Sequence, residues 1–328
     1  MSKFIFIDWR PNNRRAKSIA KDIGATLYLA PNIMRKKTYA PIRYFYLLFW
    51  TITILIKSRP NVIFVSTPPT FCPIIVFAYA KLFNCAYVAD ASHSATMAYW
   101  RNVPFGFWFN KLIMNQSITT LVHNECIKKL TDKQGINSIV LETKVPELQV
   151  TKELPIADDF KVLAPCSFDP DEPIDEIFSA AELMPDINFY VTGSLVRLNK
   201  EMINRCPANL TLTGFLSEKD YDLLLNSASV VLVLTTDDYP VRPRGASEAI
   251  AAEKPLIVSL NQATKNDLNK GTILISDTTE EIIQGILKIK SQYEQYKSEI
   301  KQLKEERTSQ YKLNLQELNL LIEQSLSN

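Results

Sequence analysis

The residues best suited to chemistry lie in one short segment of the second half of the chain, where two arginines precede the predicted start of a helix. Its members are Arg242, Arg244, Gly245, Ala246 and Ser247. Free backbone N–H groups and the positive end of a helix dipole favour an anion there, and guanidinium groups strengthen that preference. The segment therefore predicts a phosphate-binding site. The alternative is a surface loop before an ordinary helix that Ser247 or Asp238 caps.

The elements around this segment follow a strand, helix, strand order. Residues 230–234 are apolar and mostly β-branched, which is typical of a strand buried in a parallel sheet. Residues 245–252 predict a short helix, and residues 256–260 predict the next strand. Ligands of such units bind beyond the carboxyl ends of the strands. Glu248 would lie in the first helical turn, where its carboxylate could accept hydrogen bonds from ribose hydroxyls.

The motif Gly-x-x-Glu-Ala-x-Ala-x-x-Lys-Pro over residues 245–255 resembles the nucleotide-sugar site of glycosyltransferases with two Rossmann-like domains, the GT-B fold. The resemblance implies that the segment and Glu248 bind the donor. In the retaining branch of that superfamily two glutamates lie eight residues apart, and Glu248 would be the second. Pro240 stands at the first position, with Asp237 or Asp238 as candidate substitutes. The stereochemical outcome therefore stays open.

A second match lies upstream, where residues 59–69 read Arg-Pro-Asn-Val-Ile-Phe-Val-Ser-Thr-Pro-Pro and Asp90 and His93 follow. This pattern is similar to that of bacterial polysaccharide (group 1, family-four type) glycosyltransferases and of the eukaryotic mannosyltransferase that elongates dolichol-linked chitobiose, an inverting enzyme. The resemblance covers about residues 1–290. A general base must take the acceptor proton in an inverting transfer, and Asp90 or His93 could serve. Asp90 as a cap and His93 as a contact to the donor sugar are the alternatives.

Other candidate contacts follow predicted strands. Two turns that could hold the nucleotide base through backbone groups contain Gly193, Ser194, Phe215 and Leu216. The candidate acceptor contacts are Trp9, Arg14, Arg15 and His123. Generic turns, a generic basic loop and a structural histidine are the alternatives. Because residues 166–172 are acidic, Arg242, Arg244 or Arg197 would meet the donor phosphates. No Asp-x-Asp motif is evident, so we predict neither an essential metal nor a cofactor.

The length of 328 residues suggests two domains. We predict an α/β protein with two Rossmann-like βαβ domains facing across a cleft and a C-terminal helix. The predicted segments are an acceptor-binding domain (1–145), a linker (146–159), a nucleotide-sugar-binding domain (160–292) and a helical segment (293–328). The last segment would pack back on the first domain or stay solvated or oligomerising, with a candidate break near Thr308.

The strands of both domains can be predicted from short apolar runs. They are placed at 3–8, 61–66, 85–89, 118–122, 137–141, 161–166, 187–192, 209–213, 230–234, 256–260 and 272–276. Helices are predicted between them, among them one over residues 196–205. Five scattered cysteines predict reduced thiols rather than disulfides or a zinc site.

Charge is distributed unevenly along the chain. Residues 1–60 hold 12 lysines and arginines and 2 aspartates, a net charge of +10, whereas residues 151–328 hold 18 basic and 28 acidic residues, a net charge of −10. Anionic lipids attract a basic face by about 1 kcal/mol per nearby cation, and aromatic residues suit the same interface. The apolar stretch 44–56 has 13 residues, fewer than the roughly 20 that span a bilayer. It predicts a helix that is buried or lies at a membrane surface.

These patterns predict a glycosyltransferase that moves a sugar from a nucleotide diphosphate donor to a saccharide or polyprenyl-linked acceptor. An N-terminal strand in place of a signal peptide predicts a cytoplasmic protein, peripheral at the inner face of the plasma membrane. The acidic second half argues against nucleic acid as a partner. The alternatives are a transferase for a soluble acceptor and an inactive nucleotide-sugar-binding partner, which Pro240 motivates.

Overall fold

The computed structural model describes residues 3–33, 36–68, 71–91, 106–149, 159–236 and 243–327, apart from the side chains of Lys37 and Phe107. The chain divides into two compact units, which are described separately. Unit 1 consists of Met1–Lys144 and Gln310–Asn328, and unit 2 consists of Val145–Ser309.

Unit 1 contains a six-stranded parallel sheet in the order β2-β1-β3-β4-β5-β6. Its strands are β1 (Phe4–Asp8), β2 (Thr26–Leu29), β3 (Val62–Thr67), β4 (Ala86–Ala91), β5 (Thr120–Val122) and β6 (Ser138–Val140). Its helices are α1 (Arg14–Asp22), α2 (Ala40–Ser58), α3 (Phe71–Phe83), α4 (Gly106–Asn115) and α5 (Glu125–Lys133). Strand β2 was not predicted. It is a four-residue edge strand with no buried residue, and its apolar run, residues 27–30, is too short for periodicity to distinguish a strand from a helix.

Unit 2 contains a second six-stranded parallel sheet, in the order β12-β11-β10-β7-β8-β9. Its strands are β7 (Lys161–Pro165), β8 (Asn188–Thr192), β9 (Leu210–Gly214), β10 (Val230–Val233), β11 (Leu256–Ser259) and β12 (Thr272–Ile275). Its helices are α6 (Ile174–Leu183), α7 (Lys200–Asn204), α8 (Glu218–Ser227), α9 (Arg244–Ala251), α10 (Gln262–Asp267) and α11 (Thr279–Ser291). Every strand predicted in either half begins and ends within two residues of its observed position.

The helix predicted over residues 196–205 is wrong in extent. The structure has a 3₁₀ turn at Leu195–Arg197 and the separate helix α7. Asn199 lies between them in an extended conformation, and its side chain accepts a hydrogen bond from the Met202 N–H. An asparagine that caps a helix in this way starts a new helix instead of continuing an old one.

The last helix, α12 (Tyr293–Ser327), is 35 residues long and continuous through Thr308. The Thr308 hydroxyl donates to the Lys304 carbonyl at 2.7 Å, so the side chain is satisfied within the helix. In unit 2, Ile300 of α12 is fully buried. In unit 1, Leu318 is fully buried, and the Tyr311 hydroxyl donates to Asp22 Oδ2 at 2.8 Å. Each unit therefore buries a different part of this helix.

Helix α2 is 19 residues long, with a mean hydropathy of 1.2 over an 18-residue window of which 17% is buried. By length and composition it could cross a membrane, although the apolar stretch inside it is shorter. Leu47, Thr51 and Leu55 are buried in unit 1. Its exposed large apolar residues are Ile42, Phe45, Tyr46, Phe49 and Ile56. The helix thus packs on its own unit along one narrow stripe and presents an apolar surface elsewhere.

Candidate functional site

The predicted phosphate-binding segment of unit 2 is described from Pro243 onward, and Arg242 lies outside the described residues. Helix α9 begins at Arg244 after Pro243, which offers no side-chain cap. A Cβ at Gly245 would lie 2.8 Å from Pro165 Cγ and 3.0 Å from Val233 Cγ2, so only glycine allows this close approach to the strands. The first N–H groups of α9 therefore lie at the carboxyl ends of β7 and β10, where they could bind an anion.

Glu248 is the best-ordered carboxylate of this segment, because two side chains donate to its two oxygens. Arg244 Nε donates to Oε1 at 2.7 Å, and the Tyr221 hydroxyl donates to Oε2 at 2.8 Å. The Arg244 side chain is 64% exposed, whereas that of Glu248 is 10% exposed. Burial, followed by the neighbouring Glu248 carboxylate, raises the pKa of Tyr221 well above its ordinary value. The phenol therefore stays protonated and remains a hydrogen-bond donor.

Tyr221 was not predicted from the sequence. It lies on α8, and no motif links it to α9. Ala246 and Ser247 occupy the first turn of α9, with Ala246 fully buried and Ser247 half-buried. The structure thus brings two predicted residues of α9, Arg244 and Glu248, together with a tyrosine of α8.

The two predicted base-holding turns lie side by side, because the Gly193 N–H donates to the Gly214 carbonyl at 3.1 Å. Gly193 has a φ of +139°, and a Cβ there would lie 2.5 Å from the Cys166 carbonyl oxygen. Ser194 and Leu216 are half-buried, and Phe215 is 88% exposed. The exposed ring is available for stacking against a planar ligand, and its role stays a prediction.

The acidic loop after β7 is held by its own contacts. Glu172 accepts hydrogen bonds from the N–H groups of Ser167 and Asp169. Burial raises the pKa of Glu172, although those backbone bonds oppose the shift. Arg197 Nη1 donates to the Asp169 carboxylate at 2.5 Å. Arg197, one of the arginines predicted to meet phosphate, is therefore paired within this loop, as Arg244 is paired with Glu248, and the Arg244 side chain is the more exposed of the two, at 64% against 52%.

In unit 1 the first carboxylate at the carboxyl end of the sheet is Asp8, which is fully buried at the end of β1. Arg10 donates to it through its backbone N–H, Nε and Nη2. The Ser66 hydroxyl donates to Oδ2 at 2.9 Å, and Asn13 Nδ2 is a further donor. This cluster was not predicted from the sequence. It ties the ends of β1 and β3 to the start of α1.

The second carboxylate is Asp90, the predicted general base, which is 2% exposed at the end of β4. Arg15 Nε donates to Asp90 Oδ1 at 2.8 Å, and Arg15 is 8% exposed. Nη1 and Nη2 of Arg15 are buried and have no hydrogen-bond partner in the described part of the chain. The structure therefore pairs Asp90, a predicted catalytic residue, with Arg15, a predicted acceptor contact. His93 lies outside the described residues.

The remaining predicted acceptor contacts differ in exposure. Trp9 is 6% exposed, and its Nε1 donates to Thr51 Oγ1 at 2.9 Å, so most of the ring packs against α2. Arg14 is exposed in the first turn of α1. His123 is half-buried after β5, next to Asn124, which caps α5. The burial of Trp9 leaves little of its surface for a ligand, and the roles of all three stay predictions.

Within the described ranges, no group of three or more His, Cys, Asp and Glu side chains is arranged to hold a metal ion. The pair Asp237 and Asp238 and the neighbouring Pro240 fall outside those ranges. The cysteines are free, with Cys72 buried and the other four half-buried.

No family model matches this chain, and no curated protein matches it. Solved structures do. Sucrose-phosphate synthase from Thermosynechococcus elongatus has a TM-score of 0.76 at 12% identity, with 99% of each chain covered. Anabaena HepE, solved with UDP and glucose, has a TM-score of 0.70 at 10% identity, with 100% of each chain covered.

A UDP-GlcNAc 2-epimerase from Methanocaldococcus jannaschii is also similar. Its TM-score is 0.60 at 14% identity, over 88% of this chain and 92% of that one. At sequence identities this low, a structural similarity shows the fold and not the reaction. The predicted fold class is confirmed: the chain has two Rossmann-like domains and the GT-B glycosyltransferase fold.

Proposed function

We propose that this protein is a glycosyltransferase that transfers a sugar from a nucleotide diphosphate donor to a saccharide or polyprenyl-linked acceptor. The observation that carries the proposal is the group at the start of α9, where exposed Arg244 lies beside ordered Glu248. Donor binding is further supported by similar structures, since HepE was solved with UDP and with UDP-glucose.

Unit 2 would bind the donor. Arg244 and the N–H groups of the first turn of α9 would hold the diphosphate, since both favour phosphate oxygens. Glu248 would accept hydrogen bonds from the ribose. As the sugar leaves, negative charge grows on the diphosphate, and fixed cations and dipoles stabilise that charge. The proposal includes no metal for this step.

Transfer forms a C–O bond between the acceptor oxygen and the anomeric carbon while the bond to the diphosphate oxygen breaks. In an inverting reaction the acceptor proton passes to a general base, for which we propose Asp90 or His93. Arg15 fixes the Asp90 carboxylate at the end of β4. The two unsatisfied guanidinium nitrogens of Arg15 are consistent with an anionic group on the acceptor.

The acceptor and the cellular location are proposed from the surface of unit 1. The exposed apolar residues of α2 are accompanied by a groove of about 450 Å³ lined by Tyr28, Tyr46, Phe49, Trp50, Thr53, Ile54 and Lys57. The net charge of +10 in residues 1–60 (12 basic and 2 acidic residues) favours anionic lipid headgroups. We propose peripheral binding at the cytoplasmic face of the plasma membrane, where a lipid-linked acceptor would be presented.

The donor is tested with UDP-glucose, UDP-GlcNAc, UDP-galactose and GDP-mannose, each with and without a polyprenyl-linked acceptor. We expect one donor to be consumed, with free nucleotide diphosphate released. Asp90→Asn and His93→Ala should retain donor binding, and the variant that lacks the base should lose transfer. The anomer of the product distinguishes inversion from retention.

A folded protein that neither binds nor consumes any donor would contradict the proposal. Binding of a donor without turnover would favour an inactive nucleotide-sugar-binding partner. Isomerisation of UDP-GlcNAc without release of UDP would indicate the activity named for the similar epimerases.

Membrane binding is tested by sedimentation with vesicles of phosphatidylcholine, with and without phosphatidylglycerol. We expect binding to the anionic vesicles and its loss in Phe49→Asp. The matched control is Leu183→Asp, because Leu183 is an exposed apolar residue of unit 2. Equal recovery of wild type with and without vesicles would favour a soluble acceptor.

A further inference from the structure

The carboxylate of Glu248 has two supports of different kinds. Arg244 lies four residues earlier on the same helix, and its side chain is 64% exposed. Tyr221 belongs to α8 and packs against the buried cluster that contains Leu163 and Leu225. An exposed arginine has many accessible conformations, whereas a packed tyrosine has few. Tyr221 is therefore the fixed support, and Arg244 is the exchangeable one.

Each oxygen of an ionised carboxylate can accept more than one hydrogen bond. An ionised carboxylate has about four lone-pair sites, so Glu248 can accept from donors other than Arg244 and Tyr221. The use of that capacity depends on the direction in which the carboxylate is held. A bound diphosphate would compete for Arg244, because a guanidinium pairs at least as well with phosphate as with carboxylate.

We propose that Tyr221 is a positioning residue for the donor ribose, holding Glu248 so that its carboxylate accepts from the 2′-hydroxyl after Arg244 has turned to the diphosphate. The proposal rests on the function proposed above. The proposal also explains why the helix that carries Tyr221 follows the predicted base-holding turn in the chain. Helix α8 begins directly after the turn containing Phe215 and Leu216, so Tyr221 connects the predicted base-holding turn to the predicted ribose contact.

The direct test compares ribonucleotides with their 2′-deoxy forms by isothermal titration calorimetry. UDP and dUDP, and GDP and dGDP, are titrated into wild type, and the pair with the tighter ribonucleotide is used. Loss of a hydrogen bond to a charged group weakens binding by roughly tenfold to a hundredfold. We expect a ratio of that size for wild type. In Tyr221→Phe the ratio should fall to within about threefold, mainly through weaker binding of the ribonucleotide.

The matched control is Tyr296→Phe, which removes a hydroxyl from a buried tyrosine of the same unit that packs in another cluster. It should keep the wild-type ratio. A purely structural role for Tyr221 would weaken the ribonucleotide and the deoxynucleotide equally. An unchanged ratio in Tyr221→Phe, with a reduced ratio in Glu248→Ala, would overturn the inference alone. Failure of folded wild type to bind either nucleotide would overturn the inference together with the proposed function.

Discussion

The two parallel sheets carry ion pairs of different exposure at the edge where their strands end. In unit 1 the pair of Arg15 and Asp90 is buried on both sides, with side chains 8% and 3% exposed, whereas the buried Asp8 is paired with an Arg10 side chain that is 40% exposed. In unit 2 the comparable pair is Arg244 and Glu248, and the arginine side chain is 64% exposed. The Arg15–Asp90 pair of unit 1 is therefore closed to water, and the Arg244–Glu248 pair of unit 2 is open at its arginine.

The difference determines what each pair can do. A buried ion pair must stay together, because a single buried charge is costly once its partner is lost. In the Arg244–Glu248 pair the arginine is well solvated by water, and the buried Glu248 has a second donor in Tyr221, so the loss of Arg244 should cost little stability. The open pair of unit 2 can therefore exchange its partner for a ligand at small cost. The closed Arg15–Asp90 pair of unit 1 holds the end of β4 to helix α1, and a ligand would have to use the two guanidinium nitrogens that this pair leaves unsatisfied.

The largest expected effect is that of Asp90→Ala on the stability of unit 1. The substitution removes the bond to Arg15 Nε and leaves the whole guanidinium without its carboxylate. We expect a loss of about 3–5 kcal/mol in the free energy of unfolding. All four tryptophans lie within residues 1–144, so tryptophan fluorescence during urea unfolding reports on unit 1.

Asp132→Ala is the control, because Asp132 belongs to an exposed pair with Lys128 in the same unit. It should cost under about 0.5 kcal/mol. If the two variants lose the same free energy of unfolding, breaking the buried Arg15–Asp90 pair costs no more than breaking an exposed pair. The comparison between the units then fails.

The next effect is that of Arg244→Ala on donor binding. Its ion pair with Glu248 is largely exposed on the arginine side, so the melting temperature should hardly change. Loss of a charge-assisted bond to phosphate should weaken UDP binding by roughly tenfold to a hundredfold, measured by calorimetry. Arg205→Ala is the matched control, since Arg205 forms another exposed pair, with Asp175, in unit 2. Unchanged binding in Arg244→Ala would show that Arg244 does not contact the phosphate.

Much of the fold could be predicted because strands buried on both faces are almost wholly apolar. The runs 62–67 and 230–233 have every residue buried. Strand β2 lies at the edge of its sheet and is only partly covered, and its apolar run of four residues (27–30) is too short to distinguish a strand from a helix. The break at Asn199 depends on a capping geometry that an asparagine can adopt or not, so the sequence pattern predicted a single helix over residues 196–205 instead.

The site could be predicted only where its residues are neighbours in sequence. Arg244, Gly245 and Glu248 lie on one helical turn, so a motif marks them. Tyr221 and Arg15 meet their partners across 27 and 75 residues, and tertiary packing alone brings them together. Their sequence surroundings, a charged helix and a basic loop, are common on protein surfaces.

The smallest effect concerns Asp277, a half-buried carboxylate at the open edge of unit 2 that accepts a hydrogen bond from the Ser259 hydroxyl at 2.6 Å. Burial raises its pKa, the Ser259 bond opposes the shift, and Glu176 and Glu281 add to it. Because the folded-state pKa is raised, the folded protein loses stability as the pH rises through it and the carboxyl ionises.

Asp277→Asn keeps an acceptor for Ser259, tolerates the φ of +62°, and removes that ionisation. We expect its melting temperature at pH 7.5 to exceed that of wild type by about 1–3 °C, with the difference vanishing near pH 4. Exposed Asp186→Asn should show no such difference in calorimetry at either pH. A lower melting temperature for Asp277→Asn at pH 7.5 would instead mean that the charge at Asp277 is stabilised, and that unit 2 closes this part of its edge as unit 1 does.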